Sequence, residues 1–334
     1  MNLLAFMGRR LVFLVPTLLG VLAITFLISH IVPGDAAQLV AGPRATAEII
    51  QRIRQDYGLD KPVYVQFGMY VVQVFRGDFG KSILTRRPVI ADIRDFLPAT
   101  FELTTMALFI AVLLGIPLGI ISAVHRNKAV DQLSRVFSVT GVSMPIFWLG
   151  LLMMMVFYMQ LSILPGPGRI SGEPPAYVTG LYVLDSVLTL DWRAFGDAAL
   201  HLIMPASALA FAVLARVTRM TRSSMLEAFD QDFVRTARAK GLSEVLVVSK
   251  HALRNALIPT LTVVGLAYGE LLGGAVATEL IFAWPGMAHY VVGSMTSLDF
   301  PAVMGVTLVI AFIYIMMNLL VDVTYALIDP RIRY

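Results

Sequence analysis

Several stretches of the chain carry residue types that could do chemistry. Gly77-Asp78-Phe79-Gly80-Lys81-Ser82 ends in the Gly-Lys-Ser of a phosphate-binding loop, but that pattern requires glycine five places before Gly80, and Phe75 stands there. Gly141-Val142-Ser143, with His201 on another apolar stretch, offers a nucleophile and a base. Pro145 occupies the place of the second glycine in Gly-x-Ser-x-Gly, so the turn that exposes a serine nucleophile is not encoded. His30, His125, His201, His251 and His289 lie without ligand spacing, and no His-Glu-x-x-His occurs. The chain has no cysteine, which removes disulfides, iron–sulfur clusters and thiolate zinc sites. The expectation is a protein with no catalytic residues, no metal and no cofactor of its own.

Acidic residues inside apolar stretches are a different kind of candidate, because a charge in hydrocarbon costs several kcal/mol and persists only for a reason. Glu270 lies well inside such a stretch, whereas Glu102, Glu279 and Asp322 fall nearer the ends and are expected at interfaces. Glu270 serves either a helix–helix hydrogen bond or the lining of a polar pathway. Around it Gly265, Gly269 and Gly273 recur every four residues and form notches on one helix face. Those notches admit another backbone, from within the subunit or across a subunit interface at a pathway. Gly115 and Gly119 flank Pro117 and predict a kink with close packing.

The elements that must position these residues are membrane spans. Of the 334 residues 57% are hydrophobic and 14% charged, well below the roughly 25% charge of an average soluble domain. Six apolar stretches are long enough to cross a bilayer: 10–32, 100–124, 134–163, 199–219, 257–281 and 302–328. The first follows Arg9 and Arg10, exceeds an ordinary signal-peptide core and ends at Pro33-Gly34-Asp35 without a small-residue cleavage site, so it is a retained span. Basic residues mark the expected cytoplasmic side: Arg9 and Arg10; Arg126 and Lys128; and Arg216, Arg219, Arg222, Arg235, Arg238, Lys240, Lys250 and Arg254 after span four. Both termini are then cytoplasmic. The net charge of +4 is accounted for by these loops and does not call for nucleic acid.

The segment 33–99 is long enough to escape the charge rule and is expected outside as a folded subdomain. Within it Thr46 can cap a helix carrying Ile49, Ile53 and Tyr57 on one face and ending at Gly58, and Val63 to Phe75 is apolar but too short to span. The connection 164–198 is expected outside, and the sizeable cytoplasmic connection is the loop 225–256. Asp230 and Asp232 lie near the start of a short helix, Arg235, Arg238 and Lys240 near its end, and Gly241 follows, an order that complements the helix dipole and supplies a left-handed stop. Ser243 can cap a second helix from Glu244. With Phe229, Phe233, Val234 and Ala237 as an apolar ridge, this helix–glycine–helix unit is either a solvated connector or a docking element for a soluble partner.

The run Asp232-Phe233-Val234-Arg235-Thr236-Ala237-Arg238-Ala239-Lys240-Gly241-Leu242-Ser243, followed by His251-Ala252-Leu253-Arg254-Asn255-Ala256-Leu257-Ile258-Pro259, resembles the cytoplasmic signature of ABC importer permeases. The resemblance is to the dipeptide, oligopeptide and nickel branch, in its longer subunit type. Matching stretches cover the chain: Ile31 to Asp35, Gly77 to Ser82, Met144 to Gly150, Glu279 to Gly286 and Asp329 to Tyr334. Arg235-Thr236-Ala237 replaces the Glu-Ala-Ala found in many importers, while Gly241 matches. The resemblance implies an all-α polytopic membrane protein of six transmembrane helices, a single permease domain over 1–334 with the type I ABC importer fold. It implies a coupling helix seated on a separate ATPase, and ATP and Mg held by the partners. Those partners are a homologous second permease, two ABC ATPase subunits, an external solute-binding protein and the lipid of a bacterial or archaeal inner membrane. Peptides are the implied solutes, with nickel chelates, opines, glutathione or sugar conjugates as alternatives. A self-contained channel or carrier is the rival of another class.

Overall fold

The computed structural model describes residues 3–31, 37–38, 45–56 and 58–328. Along these the chain forms α1 (Leu3–Ile31), α2 (Ala47–Asp56), α3 (Val63–Phe75), α4 (Val89–Val124), α5 (Ala129–Ser143), and α6 (Ile146–Met153), which continues as the π-helical turn Met154–Gln160. After these come α7 (Tyr182–Leu188), α8 (Trp192–Phe229), α9 (Asp232–Ala239), α10 (Glu244–Gly274), α11 (Val276–Ile281), α12 (Met287–Thr296) and α13 (Phe300–Ile328). No strand occurs among the described residues, which is what a bilayer demands of a chain that cannot close a barrel. Residues 32–36, Tyr57 and 329–334, on which several sequence expectations fall, lie outside the described residues, as does the Asp322 side chain.

Among the described residues five helices are long and apolar enough to cross a membrane, and the pair α5–α6 makes a sixth candidate bent by 105°. The expected straight span 134–163 is therefore corrected to two pieces. Met144 and Pro145 are both extended (ψ 124° and 129°), because proline disfavours helical geometry in the residue before it. The stretch expected at 257–281 also shifts. Its helix begins at Glu244, passes through a π-helical turn at Val247–Ala252 and ends at Gly274, so the anticipated second loop helix is the first turn of this span. At 38 residues α8 is about 57 Å long, nearly twice the roughly 30 Å of a hydrocarbon core. It must project far beyond the lipid.

The chain divides into two compact units. The larger contains 98–285. Its core interleaves Ala99, Leu103, Ala107 and Ala111 of α4 with Leu202, Ala206, Leu209, Ala210, Val213 and Val217 of α8, and with Ala267 and Leu271 of α10. Alanine every four residues gives α4 a smooth face on which α8 can lie. At Gly119 the approach is closest: a Cβ there would sit 2.6 Å from the Thr221 Cβ and 2.8 Å from the Thr218 carbonyl oxygen, so only glycine fits. The expected close packing around Pro117 is present, and α4 runs through Pro98 and Pro117 without interruption.

The second unit contains 4–97 and 286–315, which groups α2 and α3 with α1, α12 and the start of α13. Thr46 caps α2 through its hydroxyl (3.5 Å to the Ile49 N–H), and Gly58 takes φ +64° after it. The apolar α3 lies on α1 through Phe67 against Phe26 and Gln66 against His30 (3.1 Å). The Gly77–Ser82 segment is a structural turn and not a phosphate cradle. Asp78 accepts from the Gly80 N–H at 2.9 Å, and the buried Ser82 hydroxyl donates to the buried Asp299 at 2.5 Å.

A candidate coupling helix and an exposed ion pair

Helix α9 is short, regular and divided between two faces. Val234 and Ala237, one helical turn apart, are buried against Met225, Ala228, Val247, Ala252 and Ala256. The expected docking ridge of Phe229, Phe233, Val234 and Ala237 is thus corrected: half of it holds α9 onto its own chain, and Phe229 is only partly exposed. What α9 presents outward is Asp232, Phe233, Arg235, Thr236, Arg238, Ala239 and Lys240, joined by Val245 and Leu246 from the first turn of α10.

The stop after α9 is a paired glycine cap. Gly241 takes φ +74° and donates to the Arg238 carbonyl at 2.9 Å, while the Leu242 N–H reaches the Ala237 carbonyl at 3.4 Å. Both orphan carbonyls are met, and Leu242 packs against the cluster that holds Ala237. Arg238 then bridges the turn to Glu244 through two contacts of 2.8 and 3.3 Å. Both side chains are largely exposed, so this bridge contributes about 0–1 kcal/mol. Ser243 stands at the N-cap position of α10, but its hydroxyl accepts no backbone N–H; the turn is closed by the Val247 N–H on the Ser243 carbonyl.

Behind α9, a buried carboxylate fixes the end of α8. Asp131 accepts from Arg222 at both oxygens (2.5 and 2.9 Å), from the Ser122 hydroxyl (2.7 Å) and from the Asn127 N–H (2.9 Å). At the opposite end of α8, Glu102 accepts twice from the buried Arg169 and once from the Val183 N–H, and Arg169 lies 3.7 Å from the Tyr182 ring centroid. Glu279 is also fully buried and takes the Thr100 hydroxyl at 2.6 Å. Glu102 and Glu279 were expected at interfaces; their partners, 67 and 179 residues away, carry them inside.

Glu270 has its partner on the neighbouring span: Arg216 Nη1 lies 2.6 Å from its Oε2, and the two side chains remain 31% and 54% exposed. Gly265 and Gly269 are buried, while Gly273 is exposed with nothing within 4 Å of a Cβ. The glycine stripe thus packs inside the subunit along its first two notches and opens at the third. His201 meets Ser171, not Ser143, at 3.0 Å and Asp197 at 2.9 Å. This has the order of a hydrolytic triad, but the Ser171 and Gly172 N–H groups that could stabilise an oxyanion both donate to Asp197. It is a loop clasp. In the sequence Arg216 and Arg222 stand only as loop charges, and neither Arg169 nor Asp131 is marked as a partner; nothing local pairs residues so far apart.

Residues 115–334 match the family described as binding-protein-dependent transport system inner membrane component, and residues 3–104 match its N-terminal companion. The probable D,D-dipeptide transport system permease protein DdpB of Escherichia coli is 54% identical over 96% of this chain and 94% of its own length. The dipeptide transport system permease protein DppB of Alkalihalophilus pseudofirmus is 43% identical over 99% of this chain and 100% of its own length. The glutathione transport system permease protein GsiC of Salmonella typhimurium is 42% identical over the same shares.

Proposed function

The chain belongs to the binding-protein-dependent inner-membrane permeases of ABC importers, and on that premise we propose that it forms half of a peptide pathway driven through α9. The observation that carries the proposal is the division of α9: two side chains anchor it to the projecting end of α8, and Phe233, Arg235, Thr236, Ala239 and Lys240 are left to meet a soluble partner. Asp232 to Gly241 is the coupling segment. A separate pair of ATPase subunits binds ATP and Mg, and this chain has no ATPase site, metal or cofactor.

The other half of the pathway is a related permease, and an external binding protein delivers the solute. ATP binding closes the ATPases and moves α9 with α8; the pathway opens outward, and hydrolysis resets it. A docking helix can bias such an equilibrium only by contacting its two states differently, and a helix held by two small side chains has room to do so. Both termini and α9 face the cytoplasm, in keeping with the basic residues of the short loops. The names of the relatives support dipeptides as solutes, and the glutathione permease supports a second reading in which a related small peptide is carried.

Reconstitution tests this directly. The chain is placed in liposomes with its partner permease and ATPases, and ATP hydrolysis and dipeptide uptake are measured with and without loaded binding protein. The expected outcome is hydrolysis stimulated by loaded binding protein and uptake that requires ATP. Uptake by this chain without the ATPases would identify a channel or carrier and overturn the proposal.

A further inference from the structure

Among the described residues the larger unit holds three ion pairs between elements far apart in the chain, and one is built unlike the others. Arg222 meets Asp131 through two nitrogens with two further donors on the carboxylate, and Arg169 meets Glu102 through two nitrogens with the Val183 N–H completing it. Both carboxylates are buried. Such closed arrangements leave nothing for a ligand. Arg216 and Glu270 share a single contact at 2.6 Å, and among the described residues neither side chain makes another hydrogen bond or ion pair. A guanidinium has five N–H donors and a carboxylate about four acceptor sites, so most of the capacity at both ends is unspent.

The surroundings of this pair are open. Glu270 lies inside a stretch apolar enough to span a bilayer, and Arg216 stands where the apolar part of α8 ends. Arg216, nearer its end of the apolar stretch, could extend towards the membrane surface as such arginines do, yet it reaches across to Glu270. On α10 the exposed positions Thr262, Leu266, Glu270, Gly273 and Gly274 follow helical spacing, and the two glycines have no atom within 4 Å of a Cβ. Half-exposed charges with two glycines beside them do not make a surface for hydrocarbon. They make one for water or a polar solute.

We propose that Arg216 and Glu270 form an exchangeable charge pair at which a zwitterionic solute docks in transit, its carboxylate on Arg216 and its ammonium on Glu270. This rests on the proposed peptide pathway and adds a recognition site to it. A zwitterion is the complementary chemistry because it converts one ion pair into two with no change in net charge. A monovalent ion would strand one partner, and an uncharged solute would gain nothing from breaking the pair. The pair neutralises itself between solutes and so tolerates low dielectric when the site is empty.

The test uses the complete importer in nanodiscs and liposomes, with Arg216→Gln/Glu270→Gln, which keeps polar side chains of similar reach without charge. Binding of dialanine to the assembled permease–ATPase complex, without binding protein, is measured beside N-acetylalanine amide as the uncharged control. The wild type is expected to bind dialanine saturably and the control not at all, and the double variant to lose about tenfold or more in affinity. In liposomes the double variant should assemble and keep its stimulation by loaded binding protein, while dialanine uptake per ATP falls by a similar factor. Equal uptake per ATP in variant and wild type would overturn the site, as would equal binding of dialanine and the control. Failure of the variant to assemble, with rescue by the swap Arg216→Glu/Glu270→Arg, would make the pair a subunit clip and also overturn it. Loss of stimulation in the wild type would instead strike at the functional reading on which it rests.

Discussion

The two segments that flank α8 are held in opposite ways. At the Trp192 end the stretch 161–191 has only α7 as regular structure, yet its polar groups are tied together. Asp185 accepts from the Val178, Thr179 and Gly180 N–H groups and the Thr179 hydroxyl at 2.6 to 3.2 Å, and Arg169 joins Glu102 to the Gly180 carbonyl. At the Phe229 end α9 is a regular helix, yet only Val234 and Ala237 are buried. Regularity and rigidity are therefore separate properties. The irregular loop is a fixed frame because its buried polar groups are satisfied; the helix is the adjustable element because few apolar contacts restrain it.

The comparison can be broken from the frame downwards. Arg169→Ala leaves Glu102 buried and charged, which should destabilise by about 3–5 kcal/mol, read as a fall in the thermal unfolding temperature of the purified permease. No loss would show that the frame is held by packing alone. Asp185→Asn should cost about 1–3 kcal/mol by removing acceptors from the three backbone N–H groups. Burial would raise the Asp185 carboxyl, but the Thr179, Val178 and Gly180 donors outweigh it and leave it below the usual carboxylate range. A lowered folded-state value means that the stabilisation is complete above the unfolded carboxylate value, about 4, and is lost as pH falls towards the folded one. Acid titration of unfolding in wild type and Asp185→Asn should therefore converge as pH drops below 4.

Effects on the adjustable end should be smaller in stability and larger in transport. Gly241→Val places a β-branched residue at φ +74°, a strain of about 1–2 kcal/mol, and should abolish ATP-driven uptake while membrane insertion persists. Gly241→Asn, which tolerates that backbone, should retain a fraction of it. Phe233→Ala should change stability by less than about 0.5 kcal/mol, since the ring is exposed, yet reduce the stimulation of hydrolysis by loaded binding protein. Unimpaired stimulation would move the docking surface to Val245 and Leu246.

Much of this architecture was legible in local spacing. The α9 start at Asp232, its glycine stop, the Thr46 cap and five of the spans follow from patterns a few residues long. Where the reading failed, the cause was either a single strong local term or a distant partner. Pro145 bends an apolar stretch that composition alone made continuous, and Ser243 goes without a cap bond because the backbone closes that turn. Val234 and Ala237 looked like a docking ridge because amphipathic spacing specifies which side chains share a face, not whether the face meets a partner or the same chain. Glu270 was visible as an anomaly, but Arg216, 54 residues earlier in the numbering, became its partner only once α8 and α10 lay side by side.

The length of α8 has a mechanical consequence. Pro205 removes one backbone hydrogen bond near the Trp192 end, which makes it the natural fulcrum of an otherwise continuous rod. From there Arg216 lies about 17 Å and Phe229 about 36 Å along the axis. Such a rod, with α5 pinned to it through Asp131 and Arg222, is a lever of unequal arms, and a sideways stroke that carries both helices at the Phe229 tip arrives at Arg216 reduced to about half. A stroke of a few ångströms is then geared down to roughly the width of one hydrogen bond, enough to separate a pair of charged side chains without disturbing the helices that carry them.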